Sequence, residues 1–535
     1  MRNIIDRHCE AAKPTKQLSV SGLTEGNPGR KPEIASLHFV PFAMTGAAAL
    51  FLRGFCFIFF LYLSGFIRAA RDVALFYHHI FMSETLEQKM CKRSLGYSFV
   101  RNVFVRPLLY LSYRKVNVVG ASSVPDTGPV IFAPNHQNAL MDALAILCTK
   151  DRQPVFVARA DIFRRPAVIA ILHFLRILPI YRKRDGGSSS DNNRETFDII
   201  QQVLLDGRAV GIMPEGTHNE FKRLQVLQKG IFRLAMQVQE QYGNRPGVKI
   251  IPVGIEYGNT GKFRSSVMVN YGRAIEMSDF YDLYAENPAK AFKLMQDILS
   301  EKMREGMIDI RNERHYRAIE RIRVYYRRRA GELLGLSRRN AGKSLLAQQK
   351  IIAAVQDFLQ RNPESGADLC ARIERYTDII ESRNISDRAV ERQPYSLLTF
   401  AGGALLALAG LPVCLAGILL NYLPHKLSDI GSRRVKDPQF VSSVRFVLGL
   451  VLFPVYHLLI TVLIVIFVPC IWGKLAMPLL LIPLGLFAYE YSLFVRRLCE
   501  RWLLRKGVRT KNAELSEAGR LRKSIFEDMD KIIVG

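Results

Sequence analysis

Acidic residues are scarce in this chain. Its 535 residues carry 48 Asp and Glu against 75 Lys and Arg, a formal charge of +27, and the pI is near 9.9. Such an imbalance excludes an electrostatically indifferent surface and calls for an acidic counterpart. Nucleic acid, anionic lipid headgroups and phosphorylated substrates all qualify. Closely spaced cysteines are also missing. Cys9, Cys56, Cys91, Cys148, Cys370, Cys414, Cys470 and Cys499 stand far apart with no CxxC pair. That spacing suggests neither a zinc site nor a disulfide framework, and suits a reducing compartment. There is no internal repeat and no recognised nucleic-acid module, so nucleic acid drops out as a partner. At 49% hydrophobic residues the chain is no disordered basic tail, and its length allows two or three domains.

Apolar runs set the broad class. Leu448–Val468 is nearly free of charge, and Met477–Val495 follows after a short break. Each is close to the roughly 20 residues needed to cross a bilayer core. A third run, Leu397–Leu423, carries AGLP at its centre, which suits a kinked or re-entrant hairpin better than a straight span. Phe39–Ile67 is apolar but broken by Arg53, and suits the membrane interface. The polar stretch 1–36 before it is too long for a signal-peptide n-region and reads as a disordered leader; the alternative is a translation start at Met82. Lys426, Arg433, Arg434, Lys436 and Arg445 precede the last two runs, and Arg496, Arg497, Arg501, Arg505, Lys506 and Arg509 follow them. If those runs form a two-span hairpin, the positive-inside rule places both flanks in the cytoplasm, and the basic middle of the chain with them provided Leu397–Leu423 does not cross.

Between Phe99 and Met277, short apolar segments alternate with helical ones. PVIFAP, PVFVAR, RILPIY, AVGIMP, VKIIPVGI and VMVNYG read as strands, with helices such as Phe197–Leu205 and Phe232–Tyr242 between them. The expected fold class is therefore α/β, a mostly parallel central sheet flanked by helices, plus a charged helical extension and C-terminal membrane helices. The extension, from about Asn287 to Arg392, includes RHYRAIERIRVYYRRRAGELLG. Its basic run is either a solvated helix face or an amphipathic surface for anionic lipid.

Four short elements carry candidate chemistry. In PVIFAPNHQNALMDALAIL, Pro129 to Leu147, His136 closes a strand and Asp142 follows it. The carboxyl ends of strands are where α/β sheets place ligands. An imidazole there can take a proton from a hydroxyl while a carboxylate holds its tautomer; the alternative is a histidine capping a helix. In GIMPEGTHNEFKRLQVLQKG, a strand ends at Pro214-Glu215-Gly216-Thr217. The string PEGT arises by chance in roughly one chain of this length in three hundred. Glycine lets backbone approach a bound group, Thr217 and the turn N–H groups can donate to oxyanions, and Glu215 can grip a hydroxyl, or the whole is a tight turn with an exposed acid. RILPIYRKRDG delivers Arg182 to a strand end, where a guanidinium fork suits a phosphate; for Lys183 and Arg184 a solvated basic loop is the better reading. In VKIIPVGIEYG, Pro252 interrupts an apolar strand, which suits an edge or a bend beside a groove, or else plain core packing.

Taken in chain order, these elements resemble the four motif blocks of the glycerolipid acyltransferases, over about Ser98 to Ile275. The resemblance implies that His136 is the general base and Asp142 its partner. It implies that Arg182 binds the substrate phosphate, that Glu215, Gly216 and Thr217 hold the glycerol moiety with Asn138 nearby, and that Pro252 marks the block associated with the acyl donor. It also implies direct transfer from acyl-CoA or an acyl carrier protein to glycerol-3-phosphate or a related glycerol phosphate, with no metal, no cofactor and no acyl-enzyme. The pattern departs from the family's usual one. Five residues rather than four separate His136 from Asp142, Asn138 stands where serine is common, Arg176 where glycine leads the second block, and His218 where arginine follows PEGT. One added residue turns Asp142 about 100° around a rigid helix unless it loops out before the helix begins. This spacing, with a helical extension and C-terminal apolar helices, resembles the fungal-type glycerol-3-phosphate and dihydroxyacetone-phosphate acyltransferases.

The implied layout is a leader (1–36), apolar membrane-associated helices (37–98), an acyltransferase domain (99–286), the charged extension (287–396), membrane segments (397–495) and a basic cytoplasmic tail (496–535). Membrane lipids with anionic headgroups, the acyl donor and a glycerol phosphate are the expected partners. Two rival readings stand beside it: a 1-acylglycerol-3-phosphate acyltransferase, and a non-catalytic membrane protein that binds anionic lipid and keeps the fold.

Overall fold

The six apolar segments expected as strands are strands, because β-branched residues fill them and Pro, Gly and Asn bound them. In the computed structural model the described residues are 85–535, apart from 182–188, 218–220, 337–339, 392–395, 436, 511 and 535. The leader, Phe39–Ile67 and Met82 lie outside them. The strands are β1 (Tyr113–Val119), β2 (Val130–Pro134), β3 (Val155–Arg159), β4 (Ile177–Ile180), β5 (Ala209–Gly211), β6 (Lys249–Tyr257), β7 (Ser265–Tyr271) and β8 (Ile275–Glu276). They form one sheet in the order β1-β7-β6-β2-β5-β3-β4, with β8 also on β6. Pairing is parallel except where β6 meets β7 and β8. Strands β1 and β8 fall outside the sequence expectation. The first is a partly exposed edge strand without a continuous apolar run, and the second has only two residues.

Helices cover both faces. On one side α3 (Ser189–Leu205), α4 (Gly230–Gln239) and α5 (Pro288–Gly306) bury Ile200, Phe232 and Leu299 against Ile131 and Val155. On the other, the helical run Leu95–Ser112 and α1 (Leu140–Thr149) bury Leu109 and Ile146 against Phe132 and Phe156. The short helix α2 (Pro166–Phe174) joins β3 to β4.

Beyond the sheet, α6 (Tyr316–Leu333), α7 (Ala341–Arg361) and α8 (Pro363–Ser382) build a helical layer around Tyr326, Val355 and Tyr376. Three long helices follow: α9 (Leu397–Arg433), α10 (Pro438–Phe467) and α11 (Ile471–Arg509). All three are long and apolar enough to cross a membrane, and they expose leucines such as Leu405, Leu419 and Leu479. The hairpin expected over Leu397–Leu423 is instead one helix containing Pro412 and Pro424. Packing explains the difference. A Cβ on Gly417 would stand 2.2 Å from the Leu484 carbonyl oxygen, so α9 and α11 touch backbone to backbone. Asn421 donates to the Leu481 carbonyl (3.0 Å) and lies 3.0 Å from His457 Nε2 of α10. Small residues and a polar tie hold the three helices together.

The expected basic tail is ordered as well. α11 runs on to Arg509, and α12 (Ala513–Val534) packs Ile525 and Met529 back against α6 to α8. The arginine-rich face of α6 meets acids from these neighbours. Arg317 pairs with Asp378 (2.7 Å), Arg321 with Glu381 (2.7 Å) and Arg329 with Asp530 (3.0 Å). Much of its charge is thus balanced within the chain, where the sequence offered water or lipid. Residues 84–535 form one compact unit.

Candidate active site

Strand β2 hands the chain to Asn135, whose fully buried side chain extends the ladder. Its Oδ1 accepts the Ile255 N–H (2.6 Å), its Nδ2 donates to the Ile255 carbonyl (3.1 Å), and its own N–H donates to the Val253 carbonyl (3.2 Å). The next residue, His136, is therefore aimed by the sheet itself. Its Nδ1 lies 2.9 Å from Asp142 Oδ2, and its side chain keeps 18% of its surface exposed while Asp142 keeps none.

The added residue between them is absorbed ahead of the helix. α1 begins at Leu140, and Ala139 takes φ 44° and ψ −122°. That sharp turn folds residues 137–139 back over the first helical turn, so the Gln137 and Asn138 N–H groups also donate to Asp142 Oδ2, at 3.0 and 2.8 Å. Asp142 Oδ1 accepts the Tyr257 hydroxyl at 2.8 Å. Burial and the Asp142 charge raise the Tyr257 phenol well above its usual pKa and keep it a donor. A carboxylate only accepts, so Nδ1 carries the ring proton and, in the neutral ring, Nε2 holds the lone pair.

The PEGT turn closes the other side. Gly216 N–H bonds to the Met213 carbonyl (3.1 Å), and Gly216 sits at φ 67°, a left-handed conformation that glycine adopts freely. Glu215 beside it is buried. Its Oε1 accepts the His136 N–H (2.8 Å) and its Oε2 the Gln225 N–H (3.0 Å). Burial pushes this carboxyl up to about 7, and the two backbone donors oppose that rise. Glu215 thus clamps two loops together, where the sequence suggested an acid gripping substrate.

His136, Asp142, Asn138, Glu215 and Gly216 come together at the carboxyl edge of the sheet, with Thr217 exposed on the turn. Pro252 does not join them. It is buried in β6 opposite Ala133, on an inner strand and not an edge. Its missing N–H is harmless, because on that side β6 exchanges β8, paired up to Ile250, for β7, paired from Val253. Asn138 is 1% exposed, and its Oδ1 accepts the hydroxyl of Ser442 from α10. Arg182 lies outside the described residues. Arg176 is structural: it is buried at φ 60° and donates to the Lys92 carbonyl (2.8 Å). Tyr257, the Gln225 amide and Ser442 carried no sequence signal, since each reaches the site only through sheet order or helix docking.

Residues 115–256 match the family model described as Acyltransferase. This segment is similar to the domains of that family. The 1-acyl-sn-glycerol-3-phosphate acyltransferase of Borreliella burgdorferi is 26% identical over 167 residues, 31% of this chain and 61% of its own. Mouse 1-acyl-sn-glycerol-3-phosphate acyltransferase alpha is 29% identical over 27% of this chain and 46% of its own. Glycerol-3-phosphate O-acyltransferase 1 of Saccharomyces cerevisiae is 23% identical over 36% of this chain and 25% of its own. The chain therefore spans between a quarter and about three fifths of these curated relatives. Among solved structures, the 1-acyl-sn-glycerophosphate acyltransferase PlsC of Thermotoga maritima is 18% identical, covering 44% of this chain and 92% of that one, with a TM-score of 0.29. That score is too low to bear on the fold. His136, Asp142 and Glu215 lie inside the matched segment, Tyr257 one residue past it, and Ser442 far beyond it.

Proposed function

We propose that this protein transfers an acyl chain from an acyl thioester, carried by coenzyme A or an acyl carrier protein, to a hydroxyl of glycerol-3-phosphate or a related glycerol phosphate. The observation that carries this reading is a buried Asp142 saturated by four donors, one of them His136 Nδ1. The opposite ring nitrogen then takes the proton of the acceptor hydroxyl as its oxygen attacks the thioester carbonyl. The C–S bond breaks, the departing thiolate takes that proton back, and His136 returns to its neutral form. Asp142 stabilises the imidazolium in between. No step calls for a metal. Arg182 holds the phosphate in this proposal, and Thr217 and the Gly216 turn hold the glycerol. The apolar helices anchor the protein in a membrane whose anionic surface suits its charge.

A second acceptor has specific support, since the Borreliella and mouse relatives are named for a 1-acylated glycerol phosphate. The test incubates membranes bearing wild type or His136→Ala with labelled glycerol-3-phosphate, dihydroxyacetone phosphate or lysophosphatidate and each donor type. Incorporation that wild type supports and His136→Ala loses is expected. Equal incorporation by both removes His136 as base, and no incorporation by wild type with any pair favours the non-catalytic lipid-binding reading.

A further inference from the structure

The loop after His136 leans on groups beyond its own residues. Ala139 occupies a backbone conformation, φ 44° and ψ −122°, that a residue with a Cβ adopts only under strain. Strain of this kind persists only where surroundings enforce it. Asp142 enforces it from inside, through the Gln137 and Asn138 N–H groups. From outside, the surroundings are the first turns of α10. Ser442, Phe446 and Leu450 recur at the four-residue spacing of one helix face. Phe446 is buried with Met141, Ala145 and Ile146 of α1, and Leu450 packs beside it. One turn earlier, the Ser442 hydroxyl donates to Asn138 Oδ1. Arg445 holds the same turn in place through the Gly261 carbonyl (3.0 Å) and Asp429 (3.0 Å). The other end of the Asn138 amide, Nδ2, is buried and has no partner among the described residues, and so is Gln137 Nε2. A buried donor left unmatched on a catalytic loop points to a ligand that supplies the acceptor.

We propose that Ser442 is a positioning residue for the acceptor: by fixing Oδ1 of Asn138, it turns the Nδ2 donor toward the bound glycerol phosphate, with Phe446 and Leu450 seating the helix on α1. The site is then completed by an apolar helix outside the acyltransferase domain. This inference rests on the acyltransferase reading above.

The experiment measures kcat and both KM values for the full-length membrane protein, using the acceptor on which wild type is active. Ser442→Ala raises the acceptor KM about tenfold, while kcat and the donor KM stay within twofold. Ser442→Thr, which keeps the hydroxyl, restores the acceptor KM. In an Asn138→Ala background the Ser442→Ala change adds nothing further. Unchanged kinetics in Ser442→Ala, or equal effects with and without Asn138, overturn the proposal even where His136→Ala is inactive and the acyltransferase reading stands. If Ser442→Ala does not accumulate, the Thr variant decides alone: a tenfold acceptor KM increase with the hydroxyl retained overturns it. A wild type inactive with every acceptor brings down both readings.

Discussion

Two charged regions of this protein use the same kinds of side chain to opposite ends. At the sheet edge one carboxylate, Asp142, is fully buried and takes donors from two backbone amides, a phenol and an imidazole. In the layer of α6, α8 and α12, many carboxylates meet arginines in pairs that stay largely open to water, such as Arg317 with Asp378 and Arg375 with Glu517. The chain's large positive charge draws attention to the second region, yet its energetics are small, because exposed pairs gain little over their hydrated partners. The first holds few charges, but burial makes each hydrogen bond count, since any partner lost leaves a polar group dry and unmatched. Saturation by fixed donors, more than abundance of charge, marks the site.

The contrast can be broken most sharply at the pair itself. Asp142→Asn puts an amide where two N–H groups and Nδ1 need an acceptor, and favours the wrong ring tautomer. We expect kcat to fall on the order of 10³-fold. His136→Ala is expected to cost about as much, and the double variant no more, because the two act as a unit. Additive losses in single-turnover assays argue that they act apart.

An intermediate effect is expected at Glu215 and is read as stability against pH. Burial raises its carboxyl to about 7, so the folded state holds a proton that the unfolded chain releases near pH 4.5. Its contribution is complete below 4.5 and is lost as pH rises through 7, about 3 kcal/mol in all. Melting curves in detergent from pH 4.5 to 8 should show wild type losing that much more stability than Glu215→Gln. Parallel curves contradict the assignment. The smallest effect belongs to the helical layer. Arg317→Ala removes contacts to Asp378 and Glu381 and is expected to cost no more than about 1 kcal/mol, with kcat unchanged. A larger loss, measured by melting, means that the layer's ion pairs are less solvated than their exposure suggests.

The strand-end elements were readable because their signals are local. His136 follows an apolar run that Pro134 and Asn135 terminate, and Glu215-Gly216 follows another. Local signals also misled. Proline in Leu397–Leu423 argued for a broken segment, but close packing at Gly417 and the Asn421 tie keep α9 continuous. Pro252 argued for an edge and sits on an inner strand, because the ladder on its N–H side changes partner at that point.

By itself the sequence determined where strands stop, which turns take glycine, and that His136 and Glu215 stand at strand ends, since these follow from side-chain periodicity and backbone sterics within a few residues. Only the tertiary structure decided that β2 lies between β5 and β6. That order places Glu215 on the His136 amide and Tyr257 on Asp142, and helix docking sets α10 over Asn138. Those partners are 79 to 304 residues apart in sequence, and no local preference of the chain encodes contacts across that distance.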